Sequence, residues 1–313
     1  MLRSALLYLS SQPNVFKFVR HNRMAKSFAA RFVPGETLDT ALEAVRQLNS
    51  DGITASLDLL GESVRNEKEA RESAQQYLKI LDRIKETGLD ANVSVKLTAM
   101  GIDIGEDLCI ANMQNILERA REYETFVRID MEGSDYTQKT LDLFYNRLFP
   151  SYRGNVGIVL QSYLYRSFSD VQQANAASAR VRLCKGAYKE PATVAYPEKK
   201  DVDDSYLRCM RSLLLDGHYP GIATHDERMV RETKRFANDN DIPSDRFEFQ
   251  MLYGVRRDLQ QRLVREGYRM RVYVPFGTQW YPYLMRRLAE RPANVAFLTG
   301  NVLKEMVGRR NGR

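Results

Sequence analysis

Two adjacent arginines on a predicted helix have the chemistry and the spacing to bind an anion. Residues 283–294, YLMRRLAERPAN, follow soon after the β-branched and aromatic run 270–274. Four residues share one face of this helix at spacings of three and four: Tyr283, Arg286, Arg287 and Glu290. Paired guanidinium groups hold a carboxylate in one orientation. The stretch predicts an anion clamp, and the alternative is a surface helix with a solvated charged face.

A second set of polar side chains lies at the ends of short apolar runs. Lys96 interrupts VSVKLT, Asp130 follows VRI, and His225 follows IAT. The same position is taken by Asp58, Glu62, Glu132, Gln161, Arg182, Lys185, Gly186, Tyr188, Thr224, Asp226, Gln250, Tyr253 and Tyr273. Because an unpaired buried charge is costly, this pattern predicts an active site or, alternatively, a polar network that satisfies itself.

The elements that must position these residues alternate along the chain. The candidate strands are 53–61, 92–101, 125–133, 155–164, 179–188, 221–226, 247–254 and 270–277, and helix-period segments separate them. Eight strand–helix units predict an α/β fold of the (β/α)₈ TIM-barrel type, in which chemistry lies at the carboxyl ends of the strands. A doubly wound open sheet is the alternative, but no strand end carries G-x-G-x-x-G.

Composition limits the domain organisation and the partners. No linker divides the series of strands and helices, so we expect one catalytic barrel at residues 51–313, preceded by an N-terminal helical arm at residues 1–50. A mitochondrial transit peptide is the alternative interpretation of the first residues. The net charge of +7 favours anionic partners, but no nucleic-acid motif is present. Three cysteines without ligand spacing, and no bilayer-spanning run, predict a reduced, cytoplasmic setting.

The residues alone leave more than one reaction class open. His225 beside Asp226 has no second histidine or cysteine at a neighbouring strand end, so we predict no metal site. No nucleophile elbow or phosphate-binding loop is found. Lys96 would also suit a Schiff-base aldolase, and a non-catalytic barrel that binds an amino acid or a lipid through its basic rim is a third hypothesis.

Several strand-end motifs resemble those of proline dehydrogenase, the flavin-dependent enzyme of proline catabolism. They are SVKLTAMG (94–101), RIDMEG (128–133), LQSYLYR (160–166), RLCKGAYKE (182–190), IATHD (222–226), EFQMLYG (248–254), MRVYVPFG (270–277) and YLMRRLAERPAN (283–294). The resemblance covers residues 47–294, in the family's order, and is nearer to the stand-alone bacterial enzyme than to the bifunctional proline utilisation A protein.

This resemblance implies a distorted barrel that holds non-covalent FAD at its C-terminal face. The implied reaction is the oxidation of L-proline to Δ1-pyrroline-5-carboxylate by hydride transfer to FAD, the first step of proline catabolism to glutamate. The electrons would pass to a quinone, with the protein peripheral to the inner face of the membrane. Several cations around the substrate would disfavour its ammonium form. The oligomeric state is left open.

The resemblance also assigns roles to individual residues. Lys96, Arg286 and Arg287 would clamp the substrate carboxylate. Tyr273 and Tyr283 would border the ring, Leu252 would pack on it, and Asp130 would organise the site near Lys96. Arg182 would lie near flavin N5, with Gln161 and Lys185 toward the pyrimidine end. The rest of FAD would be bound by Gly186, Ala187, Tyr188, Ala223, Thr224, His225, Gln250 and Glu290. Cys184 would be a packing side chain without a redox role.

Overall fold

Eight parallel strands close into a barrel, as the sequence predicts. The computed structural model describes residues 29–61 and 64–290, with the side chains of 286–290 left out. The strands are β1 Thr54–Leu59, β2 Ala91–Val95, β3 Val127–Ile129, β4 Val156–Gln161, β5 Arg180–Cys184, β6 Gly221–Ala223, β7 Glu248–Leu252 and β8 Met270–Phe276. Strand β1 pairs with both β2 and β8, and Ser56 lies opposite Tyr273. Closure excludes the doubly wound open sheet.

Helices separate the strands and cover their outer face. They are α1 Leu38–Ser50, α2 Glu67–Thr87, α3 Glu106–Glu122, α4 Ser134–Leu143, α5 Phe149–Tyr152, α6 Ser167–Ala176, α7 Lys199–Asp216, α8 Glu227–Asp239, α9 Arg257–Arg265 and α10 Trp280–Glu290. A π-helical turn, Phe144–Leu148, joins α4 to α5. The alternation confirms the predicted (β/α)₈ architecture.

Local sequence explains where these helices begin and end, and α2 is an example. The Asn66 side chain accepts a hydrogen bond from the backbone N–H of Glu69, and the Glu69 carboxylate accepts one from the N–H of Arg65. Side-chain acceptors of this kind satisfy donors that the first helical turn leaves open. Gly88 ends the helix at φ +62°, a left-handed conformation that favours glycine.

The hydrophobic core lies between the strands and the helices, while the inside of the barrel is polar. Val93, Val95 and Leu183 are fully buried members of the core. The alternate residues point to the barrel axis, and they are Ser56, Asp58, Ser94, Lys96, Arg128, Asp130, Arg180, Arg182, Glu248, Gln250, Arg271 and Tyr273. Hydrogen bonds cross the axis, such as those from Arg182 to Ser56 and Ser94. Buried charges, rather than apolar layers, therefore fill this barrel.

The barrel departs from regularity at its two terminal helices. In a regular barrel the helix after β8 joins the outer ring of helices. Here α1 packs against both β1 and β8 and takes that place. Helix α10 lies instead toward the carboxyl ends of the strands, where its Tyr283 lines a pocket. This displacement departs from the regular barrel, and it brings α10 to the mouth.

A short segment before α1 is tied to the turn that leads into α10. The Trp280 indole donates a hydrogen bond to Glu36 at 2.9 Å, and the Gly277 N–H donates to the Gly35 carbonyl at 3.2 Å. A Cβ at Gly254 would lie 1.7 Å from the Arg31 carbonyl oxygen. Residues 31–36 therefore bridge the loops after β7 and β8.

The range predicted as an N-terminal arm is only partly described. Residues 1–28 lie outside the described residues, and α1, within the predicted 1–50 range, packs on the barrel wall. A division of the chain at residue 50 stays a prediction. Across residues 29–61 and 64–290, no helix is long and apolar enough to cross a membrane.

Candidate active site

The mouth of the barrel holds a pocket of about 520 Å³ at the carboxyl ends of the strands. Every residue to which the resemblance assigns a substrate or cofactor role, apart from those in 286–290, lines it. These residues are Lys96, Asp130, Gln161, Arg182, Lys185, Gly186, Ala187, Tyr188, Ala223, Thr224, His225, Gln250, Leu252, Tyr273 and Tyr283. They come from seven strand ends and from α10, so the fold brings together residues that are far apart in sequence. Of the other polar residues at strand ends, Glu132 and Tyr253 do not line it, and Glu62 lies outside the described residues.

Lys96 extends from the end of β2 into the pocket and contacts two carboxylates. Its Nζ donates to Asp58 Oδ1 at 2.8 Å and lies 3.9 Å from Asp130 Oδ2. The Asp58 side chain is 1% exposed. In this low-dielectric position the pair is strong, because each charge offsets the desolvation of the other.

Arg182, on β5, crosses the axis and joins the two sides of the pocket. Its Nη1 donates to Asp130 Oδ1 at 2.8 Å and to Ser94 Oγ at 3.1 Å, while its Nε donates to Gln250 Oε1. The guanidinium thus binds Asp130, which follows β3, and Gln250, on β7, at the same time.

Tyr273 provides the third contact to Asp130. Its hydroxyl donates to Asp130 Oδ2 at 2.7 Å and lies 3.5 Å from Lys96 Nζ. Burial, together with the nearby Asp130 and Asp58 carboxylates, raises the pKa of Tyr273 well above its ordinary value. The phenol therefore stays protonated and acts as a donor, which rules it out as a general base near neutral pH.

A second ion network supports the β5–β6 side of the pocket. Lys185 Nζ donates to Asp203 on α7 and, at 2.8 Å, to Asp226 after β6. Lys199 also pairs with Asp203, whose side chain is only 2% exposed. Burial alone would raise the pKa of Asp203 and Asp226, but the hydrogen bonds and charge of Lys185, together with Lys199, outweigh burial and lower the pKa of both. Both carboxylates stay ionised and hold Lys185 at the rim.

The turn after β6 presents His225 and Thr224. His225 Nε2 accepts a hydrogen bond from the Leu252 N–H at 2.9 Å, so Nδ1 is the ring nitrogen that carries the proton in the neutral tautomer. Thr224 Oγ1 accepts from the Asp226 N–H at 3.1 Å. In the described ranges, no group of histidine, cysteine and acidic side chains could hold a metal ion.

Helix α10 contributes the described residue Tyr283 and three residues whose side chains lie outside the described part. The backbone of Arg286, Arg287 and Glu290 belongs to α10. Residues three and four positions after Tyr283 lie on its side of a helix, and Tyr283 lines the pocket. The placement of these three side chains in the site stays a prediction.

The charges of the described mouth are balanced. Lys96 pairs with Asp58, Arg182 pairs with Asp130, and Lys185 pairs with two carboxylates. The expectation that several cations surround the substrate includes Arg286 and Arg287, whose side chains lie outside the described part, so it stays a prediction. Any surplus of positive charge around a substrate here has to come from residues beyond those pairs.

Some contributors to the site were not assigned a role from sequence. Asp58 was noted only as a strand-end acid, whereas Ser56, Ser94 and Asp203 were not singled out. Ser56 and Ser94 come two residues before Asp58 and Lys96, so each points to the same side of its strand as that residue. This spacing is the sequence signal that could have identified the two serines. Asp203 is on a helix, outside the strand-end rule, and its burial has no sequence signal. Cys184 lines the pocket and contacts the Leu160 carbonyl oxygen at 3.7 Å.

Comparison with known proteins places most of the chain in one family. The model of a family described as proline dehydrogenase matches residues 41–300. The chain is 43% identical over 303 residues to proline dehydrogenase 2 of Bacillus subtilis strain 168, which covers 97% of this chain and 99% of that protein. Against the proline dehydrogenase of Deinococcus radiodurans it is 43% identical over 307 residues, covering 97% and 98%.

A larger protein with a similar barrel is found among solved structures. The crystal structure of proline utilization A from Bdellovibrio bacteriovorus inactivated by N-propargylglycine matches with a TM-score of 0.80 and 28% identity. The match covers 88% of this chain and 34% of that chain, so this chain spans about a third of that protein. The higher identity to proline dehydrogenases confirms the resemblance drawn from the motifs.

Proposed function

The chain belongs to the proline dehydrogenase family and oxidises proline in the first step of proline catabolism, and from that premise we propose that it uses FAD and that the mouth pocket binds both L-proline and the cofactor. The product is Δ1-pyrroline-5-carboxylate. The observation that carries this proposal is the convergence of the predicted substrate-side and flavin-side residues on one pocket, with Arg182 hydrogen-bonded to both groups.

We assign the substrate to the β1, β2, β3 and β8 side of the mouth. Lys96, with Arg286 and Arg287 from α10, binds the carboxylate, because cations grouped around a pocket hold a carboxylate in a fixed orientation. Tyr273, Tyr283 and Leu252 enclose the ring. Asp130 positions Lys96, and its own orientation is fixed by bonds from Tyr273 and Arg182.

The residues on the β4–β7 side fit a flavin nucleotide. Gln161 Oε1 is buried and has no hydrogen-bond partner among the described residues, so it is available to a ring N–H. Lys185 supplies a cation at the rim, and a pocket of about 520 Å³ is in the range for cofactor sites. Gln161, Arg182 and Lys185 would hold the ring. The remainder of FAD would be held by Gly186, Ala187, Tyr188, Ala223, Thr224, His225, Gln250 and Glu290. When bound, FAD accepts the hydride.

The residues of the chain contribute orientation and control of protonation. Proline must present a neutral amine, because the nitrogen lone pair drives loss of hydride from the adjacent carbon. Since Asp58 and Asp130 are each held by a cation, Arg286 and Arg287 would add the positive charge that disfavours the ammonium form. The substrate carboxylate offsets part of that charge when it binds. Fixing the ring in place supplies the proximity that hydride transfer needs.

The Schiff-base aldolase is less well supported. Lys96 Nζ is engaged by the Asp58 carboxylate at 2.8 Å, whereas imine formation needs a free amine. Borohydride trapping with a carbonyl substrate tests this alternative, and a stable lysine adduct would favour it.

An absorption spectrum before and after L-proline is added tests cofactor and substrate together. We expect a flavin spectrum that bleaches with L-proline and not with glycine.

Arg286→Met and Arg287→Met should each raise the KM for proline at least about tenfold while flavin stays bound, since each removes a charge-assisted bond. Arg211→Met, on the outer face of α7, is the matched control. A colourless protein that FAD does not reconstitute, or unchanged KM values in both variants, contradicts the assignment.

We also propose a quinone as the electron acceptor and a peripheral contact with the inner face of the membrane. The net charge of +7 favours an anionic surface. Sedimentation with liposomes that contain anionic lipid should retain the protein at low salt and release it at high salt. Equal binding to neutral liposomes would argue against an electrostatic contact.

A further inference from the structure

The opposite end of the barrel contains a pocket of about 560 Å³ that the proposed reaction does not use. It lies at the amino ends of the strands and will be called the floor pocket. Its polar lining consists of Thr54, Asp90, Arg180, His218, Tyr219, Glu248, Arg269 and Arg271. Arg128, on β3, lies directly behind it and donates to the Arg180 carbonyl oxygen at 2.6 Å.

Guanidinium groups outnumber their carboxylate partners at this end. Arg271 pairs with Glu248 at 2.8 Å. Within the described ranges, neither Arg128 nor Arg180 has a carboxylate within salt-bridge distance. Arg269 donates to the Tyr219 hydroxyl at 3.2 Å, and Asp90 is the second carboxylate that lines the pocket. Three arginines thus face two carboxylates, with a fourth arginine behind them.

Arg180 is held in place although no described carboxylate lies within salt-bridge distance, and the more distant Glu248 offsets only part of the cost of its burial. Its guanidinium lies 4.3 Å from the Phe126 ring centre and 4.7 Å from that of Tyr219. Its Nε is buried and has no hydrogen-bond partner among the described residues. Burial lowers the pKa of Arg180 and of Arg128, and for Arg128 the neighbouring arginines lower it further. An added negative charge would relieve this cost.

The backbone leaves space for these cations. A Cβ at Gly157 would lie 2.4 Å from the Arg180 carbonyl oxygen and 2.7 Å from Arg128 Nη1. Glycine inside a strand weakens it unless close approach requires it. A larger residue at 157 would therefore displace the Arg128 guanidinium or push the backbone of β5 at Arg180 away from β4.

We propose that the floor pocket binds a small tetrahedral oxyanion of the phosphate or sulfate type, with Arg180, Arg269 and Arg271 as its cationic ligands. Guanidinium groups present several N–H donors at angles that suit two oxygens of one anion. A tetrahedral oxyanion offers more oxygens than a monocarboxylate and can accept from all three arginines at once. Asp90 and Glu248 also line the pocket and repel any anion, so binding depends on these several contacts. The Tyr219 ring centre lies 4.7 Å from the Arg180 guanidinium and 5.4 Å from that of Arg269, so one ring contacts both cations.

Thermal unfolding of the holoenzyme in inorganic phosphate tests this site. The holoenzyme is used so that the phosphate groups of the cofactor occupy any phosphate site at the mouth. We expect phosphate and sulfate to raise the unfolding temperature above that in sodium chloride of equal ionic strength, because an anion that binds only the native state stabilises it. Acetate should give no more than the chloride value. A titration by calorimetry then gives the affinity.

Two variants and a matched control assign the effect to the floor pocket. Arg180→Met and Arg269→Gln should each weaken phosphate binding at least about tenfold, the loss expected for one charge-assisted contact. Arg269 is exposed, so this variant tests the site even if Arg180→Met does not fold. Arg211→Gln removes an arginine that also stacks on a ring, that of Phe236 at 5.8 Å, outside the floor pocket, and should bind as the parent does.

Three results would overturn the proposal. One is equal stabilisation by phosphate and chloride at matched ionic strength, which would show general screening only. Another is unchanged phosphate affinity in the Arg269→Gln protein. A response to acetate as strong as that to phosphate would show that the cluster does not select a tetrahedral dianion.

Discussion

The two ends of the barrel interior stabilise buried charged side chains in different ways. At the mouth, Lys96 and Arg182 each have a carboxylate at 2.8 Å. At the floor, Arg128 and Arg180 have carbonyl and aromatic neighbours, and Glu248 is engaged by Arg271. The two ends meet at Gln250, which accepts from Arg182 and donates to Glu248 at 2.6 Å. One polar column therefore connects a balanced end to a cationic end.

The difference shows which substitutions the fold tolerates. Removal of one partner from a buried ion pair leaves an uncompensated charge and is strongly destabilising. Removal of a charge that already lacks a partner takes away a desolvation cost. Substitutions of similar residues in one barrel should therefore change the free energy of unfolding by different amounts and even in opposite directions. The following substitutions test this.

The largest effect is expected for Arg182→Met at the mouth. The change leaves Asp130 without its 2.8 Å partner and Gln250 without a donor, so the free energy of unfolding should fall by about 3–5 kcal/mol. Proline oxidation should be lost with it. Urea unfolding measures the first effect, and Arg182→Lys, which keeps the charge, should recover part of it. A variant as stable as the parent would refute the balanced-mouth description.

Asp58→Asn should have a somewhat smaller effect. It leaves Lys96 with Asp130, at 3.9 Å, as its nearest described carboxylate, and a loss of about 3 kcal/mol is expected. The asparagine keeps the shape, so a deficit in urea unfolding reports charge rather than packing. Asp39→Asn, at an exposed ion pair with Arg83, is the control and should change stability by no more than about 1 kcal/mol.

Acidification should weaken the floor through Glu248. Burial alone would raise its pKa, but the charge and hydrogen bond of Arg271, together with a hydrogen bond from Gln250 and the charge of Arg128, outweigh burial and hold the pKa below the ordinary 4.5. A carboxyl with a depressed folded pKa stabilises the protein above its unfolded pKa, and this contribution is lost as pH falls through the folded value. Urea midpoints should therefore fall below about pH 4.5. Glu248→Gln should give a shallower decline, and an unchanged pH profile in that variant would exclude Glu248 as a contributor.

The smallest effect is expected for Arg180→Met in phosphate-free buffer. Since this guanidinium has no carboxylate partner among the described residues, the free energy of unfolding should change by less than about 1 kcal/mol or increase. The same urea titration as for Arg182→Met makes the two ends directly comparable. A loss as large as that of Arg182→Met would mean that the stacking on Phe126 and Tyr219 outweighs the cost of the charge.

The order of elements could be predicted from the sequence, because hydrophobic periodicity records which residues face the core. The apolar stripe of α2 is an example: Ala70, Ala74, Tyr77, Leu81 and Ile84 recur at helical spacing and are buried, whereas Leu78 is only partly buried. Strand ends were less well defined. The run 92–101 was predicted as one strand, but β2 ends at Val95, because hydrogen bonding between parallel strands sets the boundary.

The mouth was largely anticipated because the strand-end rule of barrels applies to single residues such as Lys96 and Arg182. The pairing of those residues was not predicted, since partners such as Asp58 and Asp203 are fixed by tertiary distance rather than spacing. The floor was missed for another reason. Arg128, Arg180 and Arg271 alternate with apolar residues in their strands, a pattern that also describes ordinary solvent-exposed positions. Only closure of the barrel shows that they point inward.

The bridge from residues 31–36 to the turn before α10 has a practical consequence for anyone who alters the chain's first residues. Trp280 and Gly277 take their hydrogen-bond partners from Glu36 and Gly35. A truncation or a rigid fusion that displaces this segment would release the start of the helix that carries Arg286 and Arg287. A purification tag or a truncation placed near residue 30 is therefore expected to change the KM for the substrate. Substrate affinities should be compared only between proteins that share the same N-terminal sequence.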